Sequence, residues 1–289
     1  MTRDELIARI ADAVEEVLRE RGVPRSSPAA GAGLSREAPA ELTSAQARHT
    51  PLIKAPLDGE ALQRMMKATT ARIGVGRAGP RLNTRTLLTL RADHAKARDA
   101  VLLDVEPAFL NDLGLFSVQT RCRSKDEFLT RPDLGRLLSE EAEETLRHRC
   151  TAAPDVQIFV ADGLSSLAVM ANVPRILPVL TEGLRSAGLR VGTPFFVRFG
   201  RVAVEDHISE ILRPRVVCAL IGERPGLGSA ESLSAYIAYE AAVGMAESRR
   251  TVVSNIHKDG INAAEAGAYI AELIGKILEA GASGVELQR

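Results

Sequence analysis

The feature that most constrains this chain is the unbroken apolar run VVCALI at residues 216–221, which is followed by Gly222, Glu223 and Arg224. Its length and its β-branched residues are typical of a strand buried on both faces, the usual state of a strand in a parallel sheet. Ligands of open α/β sheets bind where strands reach their carboxyl ends, so a carboxylate at this point is placed to meet one. A surface turn with an ion pair between Glu223 and Arg224 is the simpler alternative, and both interpretations stay open at this point.

Strands and helices alternate through the second half of the chain. Apolar runs predict further strands at residues 156–161, 193–199 and 251–257, and helical spacing predicts a long closing helix at 263–279. Residues 232–239 are also predicted to be helical. The alternation favours an α/β fold with a Rossmann-like, mostly parallel sheet flanked by helices.

The composition of the chain changes along its length. Residues 2–21 have apolar side chains at helical spacing, and Thr2 with Glu5 forms a capping-box pattern, so we predict an amphipathic helix there. An amphipathic helix on a tether needs a surface for its apolar stripe, which either a partner or its own domain can offer. The predicted segments are an N-terminal helical extension, a flexible linker, a mainly helical region and a Rossmann-like domain, at residues 1–22, 23–46, 47–150 and 151–289.

Charge and cysteine usage exclude several classes of function. Acidic and basic residues balance at 37 each, so there is no global electrostatic case for binding nucleic acid or an anionic membrane. No apolar run approaches the roughly 20 residues of a membrane span. Three widely spaced cysteines, Cys122, Cys150 and Cys218, fit free thiols in a reducing cytoplasm. We therefore expect a cytoplasmic protein without nucleic-acid or membrane partners.

A glycine-rich stretch matches the G-x-G-x-x-G pattern of dinucleotide-binding proteins at Gly74, Gly76 and Gly79, with Asp99 further on. That pattern requires a strand before it and a helix that opens on its last glycine. Here Pro80 follows the last glycine, and Asp99 falls inside a predicted helix. A nicotinamide-dependent oxidoreductase is therefore an alternative rather than the leading hypothesis. The basic turn is better interpreted as a loop that contacts something polar or acidic.

Residues 255–260, NIHKDG, approach the D-x-H-x-x-G motif with which some cobalamin proteins supply a histidine to cobalt. Asn255 stands where that motif has the Asp that orients the imidazole. A histidine after a strand is more often a structural hydrogen-bonding group than a ligand. The remaining histidines show no metal-ligand spacing, and no nucleophile–base pair can be argued from spacing. We therefore predict no catalytic side chain and no metal ligand.

Taken together, five long stretches resemble the small (light) subunit of ethanolamine ammonia-lyase. They lie between Ala71 and Leu287 and are ARIGVGRAGPRLNTRTLLTLRADHAKARDAV, VQIFVADGLSS, VGTPFFVRFGRVAVEDHISEIL, VVCALIGERPGLGSAESLSAY and RTVVSNIHKDGINAAEAGAYIAELIGKILEAGASGVEL. The resemblance implies a subunit that holds adenosylcobalamin together with a larger TIM-barrel subunit. It further implies an enzyme that converts ethanolamine to acetaldehyde and ammonia, with the residues that bind ethanolamine in the large subunit.

The resemblance also implies particular cofactor-binding residues. In this family the small subunit contacts the corrin ring at positions that match Val202, Glu223 and Val252. Glu223 would accept hydrogen bonds from corrin amides, whereas the two valines would offer packing and backbone groups. Position 252 can be a cysteine in relatives, so a side-chain role is in doubt there. The family binds cobalamin base-on, which implies that His257 is not the lower cobalt ligand.

Family members can enter bacterial microcompartments, and residues 2–21 resemble an encapsulation peptide that would contact the shell. Besides the leading hypothesis and the oxidoreductase, a third remains: a non-catalytic adaptor whose amphipathic helix recruits partners. Glu223 separates the three. Replacing it should weaken cobalamin binding under the first hypothesis and have almost no effect under the other two.

Overall fold

The computed structural model describes residues 42–69 and 71–287. The helix predicted at 2–21 and most of the linker predicted at 23–46 lie outside the described residues. The helices are α1 (Ala45–Arg48), α2 (Gly59–Lys67), α3 (Thr84–Leu102), α4 (Pro107–Asp112), α5 (Lys125–Thr130), α6 (Glu140–Arg149), α7 (Ser166–Ser186), α8 (Val204–Leu212) and α9 (Ala263–Ala280). The strands are β1 (Arg77–Ala78), β2 (Arg81–Leu82), β3 (Phe116–Gln119), β4 (Val156–Ala161), β5 (Phe195–Arg198), β6 (Val216–Gly222), β7 (Leu233–Tyr239) and β8 (Thr251–Ile256). Short 3₁₀ turns lie at Leu134–Arg136, Glu247–Arg249 and Gly284–Glu286.

Six strands form one sheet in the order β3-β5-β4-β6-β7-β8. The first four strands in that order run parallel, whereas β7 is antiparallel to both of its neighbours. Every residue of β6 is buried, as its apolar run predicts. The mixed α/β class and the mostly parallel sheet are therefore confirmed.

Helices cover the two faces of the sheet differently. One face packs against α7 and α9 from β4 to β8, and α4 contacts the edge strand β3. The other face packs against α6 and α8, which cover the parallel strands. Helix α7 is long and apolar enough to cross a membrane by length and composition alone, but its apolar side is packed on the sheet and on α9, as in the core helix of a globular domain.

Residues 232–239 are not helical, and that prediction is wrong. They form β7, which pairs with β6 from Gly222↔Leu233 to Val216↔Tyr239. Short apolar runs fit a helix and a strand equally well by periodicity, and here pairing with the buried strand β6 decides. The predicted helical region before residue 150 also contributes a strand, since Phe116–Gln119 pairs with β5 at the edge of the sheet.

Candidate functional site

Asp162, the residue after β4, connects the carboxyl ends of β4 and β5 by hydrogen bonds. Its carboxylate is buried and accepts the backbone N–H groups of Phe199 (3.0 Å) and Gly200 (3.2 Å), which follow β5. Lys125 Nζ lies 3.8 Å away. Burial raises the pKa of Asp162 to about 6, although Lys125 and the backbone donors oppose this. The side chain thereby fixes a strained turn, since Phe199 has a φ of 59°.

The end of β6 also lies very close to the loop after β4. A side chain at Gly222 would collide with the carbonyl oxygens of Ser165 and Asp162, so only glycine allows this approach. The carbonyl of Gly222 accepts the N–H of Leu164 at 2.9 Å. Glu223, the next residue, is consequently held at the edge of the sheet by its own backbone.

Glu223 is half-buried, and its partner is a tyrosine rather than the neighbouring arginine. Its Oε1 accepts the hydroxyl of Tyr236 at 2.8 Å. Burial raises the pKa of Tyr236, and the hydrogen bond to Glu223 raises it further. Within residues 42–69 and 71–287, Oε2 of Glu223 accepts no hydrogen bond and the carboxylate makes no ion pair. One oxygen is therefore fixed while the other is left for a ligand, and the surface ion pair with Arg224 is not formed.

Val252 lies on the same face of the sheet as Tyr236. The two residues are directly paired across β7 and β8, and paired residues of an antiparallel ladder point to the same side. Val252 is 47% exposed, because α6 and α8 do not extend over this part of the sheet. It lies at the amino end of β8, so it belongs to the open sheet face and not to the carboxyl edge.

Val202 occupies the turn between β5 and α8. It is half-buried and packs on the cluster beneath α6 and α8. Its carbonyl accepts the N–H of Glu205 at 3.1 Å. Of the three predicted residues, Val202 and Glu223 thus lie past the carboxyl ends of β5 and β6, two parallel strands with β4 between them.

A buried ion cluster connects the segments that carry the two valines. Arg250, whose side chain is 1% exposed, contacts Glu205 and bonds Asp206 at 2.6 and 2.8 Å, and it reaches the exposed Glu247 at 2.9 Å. Burial raises the pKa of both Glu205 and Asp206, and Arg250 opposes the rise. Because Glu205 and Asp206 follow Val202 and Arg250 precedes β8, this cluster anchors the start of α8 to the start of β8.

Two side chains that were not singled out from the sequence connect the segments that carry the three predicted residues. Tyr236 links Glu223 to Val252, and Arg250 links the Val202 turn to the same strand. Tyr236 was missed because its segment was predicted to be helical. Arg250 lies more than 40 residues along the chain from both of its buried partners, so no local pattern indicates the pairing.

The glycine-rich stretch does not form a dinucleotide-binding turn. Gly79 lies in the tight hairpin between β1 and β2, and Gly76 donates its N–H to Thr86 at 3.1 Å. Helix α3 begins at Thr84 with Asn83 as its N-cap, so it does not open on a glycine. Asp99 is exposed within that helix. The structural context that the nicotinamide hypothesis requires is absent from these residues.

His257 is buried, and both of its ring nitrogens have partners. Its Nδ1 accepts the N–H of Asp259 at 3.2 Å, and Nε2 lies 3.3 Å from Oδ1 of Asn255. The first contact leaves the proton on Nε2, which then donates to Asn255. The arrangement stabilises the loop after β8, as expected for a structural histidine.

The fold and the site define a mixed α/β protein with an open, partly apolar sheet face that is bordered by a fixed carboxylate. Comparison with known proteins makes the class specific. The sequence model of the family "Ethanolamine ammonia-lyase light chain (EutC)" matches residues 59–288. The chain belongs to this family.

Individual relatives agree with the family model. The "Ethanolamine ammonia-lyase small subunit" of Clostridium tetani is 55% identical over 248 residues, which cover 86% of this chain and 84% of the relative. The protein of the same name from Fusobacterium nucleatum is 52% identical over the same shares. That from Listeria monocytogenes is 47% identical and is covered over 85% of its length. The resemblance stated from the sequence is confirmed.

Proposed function

We propose that this chain is the small subunit of an adenosylcobalamin-dependent ethanolamine ammonia-lyase, which converts ethanolamine to acetaldehyde and ammonia. In this proposal residues 151–289 act as a Rossmann-like cobalamin-binding domain that holds the cofactor against a large catalytic subunit. The observation that carries the proposal is the open sheet face on which Glu223, Tyr236 and Val252 are joined. The reaction is the one for which the relatives are named.

The residues of this face fit a corrin ring. A corrin is a flat macrocycle with apolar faces and amide side chains at its rim. Val252 and Val202 offer apolar surface, and Glu223 has a free carboxylate oxygen that can accept an amide N–H. Since both ring nitrogens of His257 are engaged within the chain, we propose that cobalamin binds base-on, with its own base on cobalt.

When bound, adenosylcobalamin supplies radical chemistry, while the protein supplies binding, orientation and exclusion of water. This chain's part is positioning: Glu223 orients the rim of the ring, and the Asp162 and Arg250 contacts hold the segments around it. We propose that the residues that bind ethanolamine belong to the large subunit and that this chain contributes no catalytic side chain.

Replacing Glu223 tests the proposed site directly. We expect Glu223→Ala to weaken binding of adenosylcobalamin to the two-subunit complex by about tenfold to a hundredfold, because a hydrogen bond to a charged group contributes about 1.5–3 kcal/mol. Glu223→Gln keeps an acceptor and should lose less. Equilibrium dialysis, followed by the absorbance of the corrinoid, measures the affinity.

Glu279→Ala, which removes an exposed carboxylate of α9 on the other side of the sheet, is the matched control and should bind normally. Unchanged affinity in Glu223→Ala would contradict the site. Binding of NAD by the chain alone would favour the oxidoreductase, and binding of neither molecule would favour the adaptor.

The surface of α3 supports a protein partner. The helix buries Thr86, Thr89 and Asp93, whereas Leu87, Leu88 and Leu90 are 37%, 51% and 38% exposed. This is the reverse of the usual arrangement, and exposed apolar patches mark interaction sites. The exposed Arg85 and Arg91 lie three residues before and after Leu88 and are therefore its neighbours on the helix surface. We propose that this face contacts the large subunit through an apolar patch with an acidic rim.

Leu88→Glu should therefore weaken association with the large subunit by at least about tenfold, since it replaces an apolar contact with a carboxylate that must lose water on association. The folding of the isolated chain should not change, because Leu88 is half exposed. Val285→Glu, the same type of change at a side chain that is 78% exposed elsewhere, is the control. Analytical ultracentrifugation of the mixed subunits gives the result, and equal association of both variants would contradict the proposed face.

For location, we propose that the protein is cytoplasmic and enters a bacterial microcompartment through residues 2–21, which act as an encapsulation peptide that contacts the shell. The support is the amphipathic pattern of the sequence in this segment. Deletion of residues 2–21 should abolish packaging and leave the assembled enzyme active. Unchanged packaging would contradict this role.

A further inference from the structure

A cavity lies at the loops that follow β6 and β8, and four cationic side chains contribute to its lining. It has a volume of about 370 Å³, within the range of small-molecule sites. The loops after β6 and β8 form one wall, and the ends of α1 and α2 together with the side of α3 form the other. None of the residues assigned to the corrin ring lines it.

The charges around this cavity do not balance. Arg48, Lys67, Lys96 and Lys258 line it, against Glu231 and Asp259, which leaves an excess of two positive charges in a chain whose net charge is zero. Converging charges of one sign attract a counter-ion of the opposite sign. The cavity therefore favours an anionic ligand.

The lysines are not occupied by other carboxylates. In the described part of the chain, Lys67 and Lys96 have no carboxylate within 4.0 Å, and Lys258 is only loosely paired with Glu231 at 3.9 Å. Lys96 is half-buried and makes no ion pair with the described residues. An anion in the cavity would provide the missing partner.

The cavity and Glu223 belong to the same loop. The segment between β6 and β7 begins with Glu223, whose N–H donates to Ser232 O at 3.0 Å, and Gly226 N donates to Ser229 O at 2.9 Å. The hydroxyl of Ser165 donates a hydrogen bond of 2.6 Å to the carbonyl oxygen of Ala230 in this loop. The loop that begins with Glu223 therefore also supplies the cavity wall at Gly228–Glu231.

We propose that this cavity binds the phosphodiester of the nucleotide arm of cobalamin. The inference rests on the proposed function and adds a second contact to the cofactor. Glu223 would hold the corrin ring by a hydrogen bond, and the cationic cavity would hold the nucleotide arm by electrostatic attraction. Ammonium groups are suited to phosphate as compact point charges. A free phosphate ion has the same chemistry, and the experiment distinguishes the two sources.

The test compares adenosylcobalamin with adenosylcobinamide, which keeps the corrin and the cobalt but lacks the nucleotide arm. Lys67→Gln/Lys96→Gln removes two charges without leaving a carboxylate unpaired. Lys54→Gln/Lys276→Gln, at exposed sites outside the cavity, is the control. Affinities are measured on the complex with the large subunit by equilibrium dialysis.

We expect the cavity variant to lose at least about tenfold in affinity for cobalamin and to bind cobinamide normally, while the control binds both normally. Equal losses for both corrinoids, or no loss for either, would overturn the inference. If inorganic phosphate binds to wild type and not to the variant while cobalamin affinity is unchanged, the cavity serves free phosphate and the inference also fails. A wild-type complex that binds neither corrinoid would instead contradict the proposed function itself.

Discussion

Replacing Arg250 with alanine is expected to lower the free energy of unfolding by about 3–5 kcal/mol. The guanidinium is the only cation that contacts the buried carboxylates of Glu205 and Asp206 in the described structure, and a buried charge left without its partner is strongly destabilising. The loss should also reach the cofactor, since the cluster anchors the Val202 turn to the strand that carries Val252. Urea denaturation of the variant measures the change.

The loss should grow with pH. Burial already raises the pKa of Glu205 and Asp206, and without Arg250 both pKa values rise further. Wild-type Glu205 already has its pKa raised to about 8, so wild type and variant lose stability in parallel below that pH, and the additional loss of the variant grows as the pH rises above about 8. Arg249→Ala, which breaks an exposed pair with Glu286, is the control and should cost at most about 1 kcal/mol. Equal, pH-independent effects in the two variants would contradict the role of the cluster.

Asp162→Ala should destabilise the protein by about 2–4 kcal/mol at neutral pH. The substitution leaves the buried N–H groups of Phe199 and Gly200 without an acceptor, and each unsatisfied donor costs about 1–3 kcal/mol. Because the same bonds fix the turn that precedes Val202, affinity for cobalamin should fall as well. Asp162→Asn keeps one acceptor and should lose less stability and less affinity for cobalamin.

The pH dependence of the Asp162→Asn variant gives a sharper test. Burial raises the pKa of Asp162 from 3.8 to about 6, so wild type binds a proton in the folded state that the unfolded chain has already released. The free energy of unfolding of wild type should therefore fall relative to that of the variant between pH 4 and pH 6. Above pH 6 the difference between the two should stay constant. A stability difference that does not change across this interval would show that Asp162 is ionised throughout.

The sequence predicted the parallel strands β4, β5 and β6 because they are encoded locally, whereas the parallel edge strand β3 was not predicted. The run at 216–221 is apolar without interruption, and a strand buried on both faces needs nothing else. The antiparallel part is not encoded in the same way. Residues 232–239 carry Leu233, Ala235 and Ile237 on the side of α9, yet only the pairing with β6 separates this pattern from a helix.

The site was predictable to the extent that its residues follow strands. Glu223 could be singled out because it directly ends the most apolar run of the chain. The orientation of the Glu223 side chain could not be predicted, because it depends on the hydroxyl of Tyr236 across the sheet. The positions of Val202 and Val252 came from resemblance alone, because a valine carries no chemistry that spacing can detect. Their connection through Arg250 depends on the folded chain.

The central claim is that this chain, a large subunit and adenosylcobalamin together form an ethanolamine ammonia-lyase. Acetaldehyde release from ethanolamine, measured with each component left out in turn, tests it most directly. The account predicts activity only when all three are present, together with a marked reduction when Glu223→Ala replaces the wild-type chain at limiting cofactor. Full activity without this chain or without the cofactor, or no activity from subunits that demonstrably associate and bind the cofactor, would contradict it.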